Sequence, residues 1–249
     1  MAQSAQATIA ATRYVSRSRF YPIMAGLILL IVLTGFSRTL YLRALFDVPE
    51  LPPYLYVHGT LLTAWFVLFF LQALLVAGGS TARHRALGIA AVTIGAVIPL
   101  VGLMATLGIP DRVASAGLDF EPLVQRLMPV IVGNIQNVVF FAVALLCAVL
   151  LRRKRDFHSR LMLWASLFIL GPALGRIWRW PVFADFDESS FTSTALYLLM
   201  AVIVGHELWR ERKVHPVTKI ALGAYIGWTL VRPSIVASEW AKDLVRSLA

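Results

Sequence analysis

Charged side chains are scarce in this chain: they make up 14% of 249 residues, against about 25% in an ordinary soluble domain. Acids are scarcer than bases, thirteen against 23. The one cysteine, Cys147, excludes a disulfide framework and a cysteine-based zinc site. No H-E-x-x-H, G-x-S-x-G or glycine-rich phosphate loop is present, and Cys147 falls in an apolar helical stretch where a thiol packs. No catalytic residue is assigned. The scarcity of charge has an apolar counterpart. At 59% apolar residues and a mean hydropathy of +0.75, the sequence excludes disordered, fibrous and soluble classes and leaves a polytopic membrane protein, whose apolar surface faces lipid as well as core.

A helix needs about 20 mostly apolar residues to cross roughly 30 Å of hydrocarbon. Seven windows qualify: 20–42, 55–77, 86–107, 128–151, 161–182, 191–209 and 218–237. The spacing predicts an all-α bundle of about seven transmembrane helices, six if the weakest window, the seventh with Arg232, is re-entrant. Prolines at 172 and 233 are expected to break their spans. Residues 1–19 read as a polar cytoplasmic segment, 20–237 as one bundle, and 238–249 as a short outer tail. The connection 108–127 is long enough for a short interfacial helix or a lid.

Charge sets the expected orientation. With the N-terminus inside, fourteen of the 23 bases fall on the inner side with only three acids, Asp156, Glu207 and Glu211. That asymmetry follows the positive-inside rule and puts the N-terminus in and the C-terminus out. The same count disposes of nucleic acid as a partner, because the basic runs, Arg152-Arg153-Lys154-Arg155 included, are short loops abutting membrane helices.

Ionisable groups at membrane depth face a bundle interior or a wet cavity. Arg176 lies sixteen residues beyond Arg160, about 24 Å along a helix. Arg232 lies thirteen beyond Lys219, about 20 Å. Asn134 and Asn137 precede Arg152 by eighteen and fifteen, about 27 and 22 Å. With Arg38, Tyr41 and His58 they place polar groups from five helices in the outer third, where cations outnumber acids. The sequence therefore predicts an outer-side pocket for a small anionic or amphipathic molecule, with Arg176 and Arg232 on one cavity. Each member also has a plain role: snorkelling for Arg38, an aromatic belt for Arg176 with Trp178 and Trp180.

His84, His158 and His206 are expected at the inner helix ends, where they can hold a metal with Asp156, or a b-type haem through His84 or His158 with His206; a single-histidine haem at His58, with Arg38 and Arg176 on its propionates, is the outer-side alternative. His215, between Val214 and Pro216, reads as a loop residue. A shift of 74 residues aligns Gly59 with Gly133, Phe66 with Phe140, Leu71 with Leu145, His84 with His158, Leu87 with Leu161 and Ala91 with Ala165, as a weak parallel repeat would.

At His84-Arg85-Ala86-Leu87-Gly88, and from Asp156 through His158, Arg160 and Leu161-Met162-Leu163, the chain resembles uncharacterised bacterial multi-pass inner-membrane proteins with an H-R-x-L-G turn and a D-x-H-x-R-L-M-L helix start. Gly35 to Thr39 and His58-Gly59 fit the same resemblance, which spans most of 20–210. It implies a bacterial inner-membrane location and carries over no site residues. Three functions stay open: binding or transport at the outer pocket, membrane redox chemistry with haem b or quinone, and a structural or assembly subunit.

Overall fold

A computed structural model describes residues 19–119, 121–183 and 185–247; the N-terminal segment 1–19 lies outside them except for Arg19. The chain is an integral membrane protein and, among the described residues, mostly helical with no strand. Among the described residues six helices are long and apolar enough to cross a bilayer, seven if one bent helix pair counts as a single span.

Helix α1 (Phe20–Phe36) runs on through a π-helical turn to Tyr41. Next come α2 (Pro53–Ala77), with proline in its first turn where a missing N–H is harmless, and α3 (Thr81–Leu107). The expected interfacial helix in the long connection is α4 (Ile109–Ser115). Helix α5 (Val124–Leu150) leads into α6 (Arg155–Phe168) and α7 (Gly171–Trp178), and α8 (Glu188–Glu211) into α9 (Pro216–Ala237).

Two sequence expectations need correction. The span expected at 161–182 starts at Arg155, stops at Trp178 and bends by 40° between α6 and α7. Pro172 has no N–H to give to Phe168 O, so the helical ladder fails there. Pro233, by contrast, leaves α9 continuous to Ala237, because neighbouring groups can satisfy a carbonyl freed within a membrane helix. The tail is also more ordered than expected. It forms α10 (Glu239–Arg246), which buries Ala241 and Val245 and exposes Trp240 and Leu244. Arg246 fastens it with a two-pronged bond to Glu121, at 3.0 and 2.8 Å.

Helix α6 is the centre of the bundle. Five consecutive residues, Leu163 to Leu167, are 0% exposed, so the helix is enclosed on every face. Trp65, Phe141 and Trp164 fill the space around it. Helices come closest where side chains vanish: a Cβ on Gly35 would stand 2.3 Å from Ala173 O, so only glycine lets α1 reach α7. Helix α9 sits at the edge, with only Val217, Thr218 and Tyr225 buried. With so little apolar contact, it depends on polar ties to its neighbours.

Candidate functional site

At the end of the bundle expected to face out, the structure separates the expected residues into three groups. Arg38 and Tyr41 are exposed at the end of α1. The Arg38 guanidinium lies 4.8 Å from the centre of the Phe46 ring, and Tyr41 Oη shares a hydrogen bond of 2.8 Å with Thr63 Oγ1. Both have local partners.

The second group joins helices. Arg232 Nη2 donates to Pro129 O at 2.8 Å, and its guanidinium lies against Gly133, where a Cβ would be 3.4 Å away. Asn137, with its amide nitrogen turned toward the carbonyls, donates to Phe168 O at 2.9 Å and Gly133 O at 3.3 Å. Phe168 O is the carbonyl that Pro172 leaves without a helical donor. Asn137 thus mends the α6–α7 break from α5, and Arg232 ties the peripheral α9 to α5. Asn134 is half-buried on α5, one turn from Asn137.

The third group is Arg176 with His58. Arg176 Nη1 donates to Pro172 O at 2.9 Å, and the guanidinium stacks over Phe36, 4.4 Å from the ring centre. Its Nε is buried without a hydrogen-bond partner, as are His58 Nδ1 and Thr192 Oγ1. Arg176 lies within electrostatic reach of His58. The neighbouring acid, Glu188, lies within electrostatic reach of Arg176 but pairs, at 4.0 Å, with Arg179. Arg176 therefore has a ring and a neutral carbonyl where a carboxylate would complete its fork. A small cavity of about 120 Å³ flanks the His58 turn, lined by Tyr54, Val57, Val101 and Met104.

At the opposite, basic end the three histidines do not, among the described residues, form the expected metal site. His206 stacks on Phe20, ring centres 3.7 Å apart and planes within 9°. His84 and His158 face each other at 6.4 Å. Among the described residues no three His, Cys, Asp or Glu side chains come together to hold a metal ion. Asp156, counted with the histidines from sequence, is engaged elsewhere.

Its partner is Arg160, on which all three inner acids converge. Arg160 Nε donates to Glu207 Oε1 at 2.7 Å, and its two terminal nitrogens bond Asp156 and Glu211. Arg160 and Glu207 have side-chain exposures of only 4% and 2%. Glu207 also accepts from Thr218 Oγ1 and from His215 N, each at 2.8 Å. His215 is buried rather than a free loop residue. Its Nδ1 accepts from Val217 N at 3.2 Å, capping α9, and its Nε2 meets Asp156 Oδ2 at 3.0 Å. Burial, then the nearby Arg160 charge, press its pKa below the ordinary histidine value. The spacing alone held the signal: Asp156/Arg160 and Glu207/Glu211 are both i, i+4 pairs, and these are the only acids on a side with fourteen bases.

The chain matches no protein-family model, no curated protein and no solved structure.

Proposed function

We propose that this integral membrane protein lies in a bacterial inner membrane, N-terminus in and C-terminus out, and binds or transports a small anionic or amphipathic molecule reached from the outer side. The observation that carries this reading is Arg176: a cation at membrane depth whose Nε has no partner and whose fork meets no carboxylate. An arginine so placed is stabilised by an anion at its free edge, and the neighbouring orphaned His58 Nδ1 and Thr192 Oγ1 offer further polar contacts. Phe36, stacked on the guanidinium, gives the anion an apolar flank. Arg232 and Asn137 serve the frame, since each meets a backbone carbonyl of another helix, whereas Arg176 bonds only a carbonyl of its own helix.

Octanoate and inorganic phosphate, an amphipathic and a purely polar anion, test the reading. Titrated into the detergent-purified protein, octanoate should raise the unfolding temperature saturably in wild type and not in Arg176→Gln, while Arg38→Gln behaves as wild type. Equal stabilisation of wild type and Arg176→Gln by both anions, or of neither, would refute it. Orientation is read separately, in a protein with Cys147→Ala. An impermeant thiol reagent added outside should label Ser189→Cys and spare Lys154→Cys; the reverse pattern would invert the topology.

A further inference from the structure

We infer that the crevice between α2 and α3 holds an acyl chain of an anionic phospholipid whose phosphate rests on Arg112. The site draws on α2, α3 and α4 and uses neither Arg176 nor His58. The cavity of about 120 Å³ is lined by Tyr54, Val57, Val101 and Met104, apolar but for the Tyr54 hydroxyl. Val57 and Met104, 53% and 60% exposed, lie on the surface of two membrane-spanning helices. That surface meets hydrocarbon, so the crevice opens to lipid.

The crevice runs inward from the membrane boundary. Met104 and Val101 lie three and six residues before Leu107, the end of α3, about 5 and 9 Å below it. Leu100 and Val97 are exposed as well. Each precedes a lining residue by four, so the apolar track continues along the same face of α3. An apolar cavity of about 150 Å³ takes benzene and stays dry; a space of this size and lining suits methylenes rather than water.

A cation is fixed at the mouth. Arg112 Nη1 donates to Tyr54 Oη, Nη2 donates to Ala105 O at 2.9 Å, and the guanidinium lies 5.9 Å from the centre of the Tyr54 ring. Gly108, between α3 and α4, makes room for the pair: a Cβ there would stand 3.0 Å from Tyr54 Oη and 3.2 Å from Arg112 Nη1. Both hydrogen-bond partners are neutral. A guanidinium carries five N–H donors, so these bonds leave it able to take an anion, and among the described residues its fork meets no carboxylate. Asp111, next in the chain, is exposed in the first turn of α4, where a carboxylate suits the helix dipole.

The two parts together define the occupant. Arg112 lies five residues past the end of α3, where hydrocarbon gives way to headgroups, and a phosphate diester offers its two oxygens to a guanidinium fork. A free anion would leave the crevice empty, and a neutral hydrocarbon would leave Arg112 unmet. A zwitterionic headgroup brings its own cation toward Arg112, so an anionic lipid is favoured.

The full-length protein in detergent, titrated with dioleoylphosphatidylglycerol or dioleoylphosphatidylcholine and read by native mass spectrometry, tests the proposal. Wild type should retain a single phosphatidylglycerol at lower lipid concentration than it needs for phosphatidylcholine. Arg112→Gln should weaken phosphatidylglycerol binding about fivefold or more and erase that preference. Val57→Trp, which fills the crevice from an exposed position, should weaken both lipids, and Arg38→Gln, which removes a cation at the same end, should change neither. Circular dichroism establishes that each variant is folded; if Arg112→Gln is not, Val57→Trp carries the test. Phosphatidylglycerol binding retained in Arg176→Gln supports the crevice, whereas its loss there assigns the lipid to Arg176 and overturns the proposal. Equal binding of the two lipids to wild type, unchanged binding in Val57→Trp, or full displacement of the lipid by inorganic phosphate would overturn it too.

Discussion

Replacing Arg160 by leucine should be the most damaging single change at the inner end, and the network itself gives the size of the loss. Arg160 holds three carboxylates. Asp156 and Glu211 are 47% and 27% exposed, so water screens those contacts and each contributes about 0–1 kcal/mol. Glu207 is different: at 2% exposure it is a carboxylate that water cannot reach, and breaking a buried pair by removing one member costs about 3–5 kcal/mol. Its bonds from Thr218 and His215 N remain, which places the expected loss for Arg160→Leu toward the lower part of that range. At about 2–4 °C per kcal/mol for a chain of this size, the midpoint should fall by roughly 6–20 °C. The assay is thermal unfolding in one detergent, followed by loss of helix signal. The double variant Arg160→Leu/Glu207→Gln should be more stable than Arg160→Leu alone, because the stranded charge is gone, whereas Asp156→Asn alone should cost less than about 1 kcal/mol. If Arg160→Leu unfolds no earlier than Asp156→Asn, or if the double variant is the least stable, the buried charge is not what the cluster is built around.

Three further outcomes follow from particular contacts. Gly35→Ala should cost about 1–3 kcal/mol, since its Cβ would strike the Ala173 carbonyl at 2.3 Å, while Gly205→Ala, which meets nothing within 4 Å, should be neutral or slightly stabilising in the same melt. Asn137→Leu should cost about 1–3 kcal/mol by stranding Phe168 O at the α6–α7 break; a melting curve that matches wild type would remove Asn137 from that role. His215, its pKa held down by burial and by Arg160, binds protons less readily folded than unfolded. Its contribution is thus complete above the unfolded value of about 6.5 and is lost as pH falls below that value toward the folded one. His215→Asn, which retains a capping acceptor, should flatten that part of the stability–pH profile, and an unchanged profile would assign the drop to other groups.

The inner cluster shows how far residue pattern reaches. Asp156, Glu207 and Glu211 were visible in the sequence as the only acids among fourteen bases, yet counted only as a topological balance. Their convergence depends on how α6 and α8 pack, because a helix presents an i, i+4 pair to some neighbour without saying which. His215 was hidden more thoroughly: flanked by Pro216 it reads as a connector, and only the approach of α6 to the start of α9 buries it. At the outer end depth along each helix was legible from residue counts, since every helical residue adds about 1.5 Å. Azimuth was not. Arg176 and Arg232 have similar depth but different partners, Phe36 and Pro172 O for one and Pro129 O for the other.

The sequence by itself determined that there are six or seven apolar spans, their approximate ends and the asymmetry of charge, because a bilayer imposes a length and a polarity that each segment must meet alone. It also marked Pro172 as a break, since a missing N–H is a property of the residue. Tertiary structure decided what only neighbours can: that Pro233 is tolerated while Pro172 bends its span, that Asn137 mends that bend, that Arg160 gathers three carboxylates, and that His84 faces His158 while His206 stacks on Phe20. These are choices of rotation and partner. In a bundle whose helices are apolar on nearly every face, periodicity carries little information about which face turns inward, and small residues such as Gly35 together with a few polar contacts settle it.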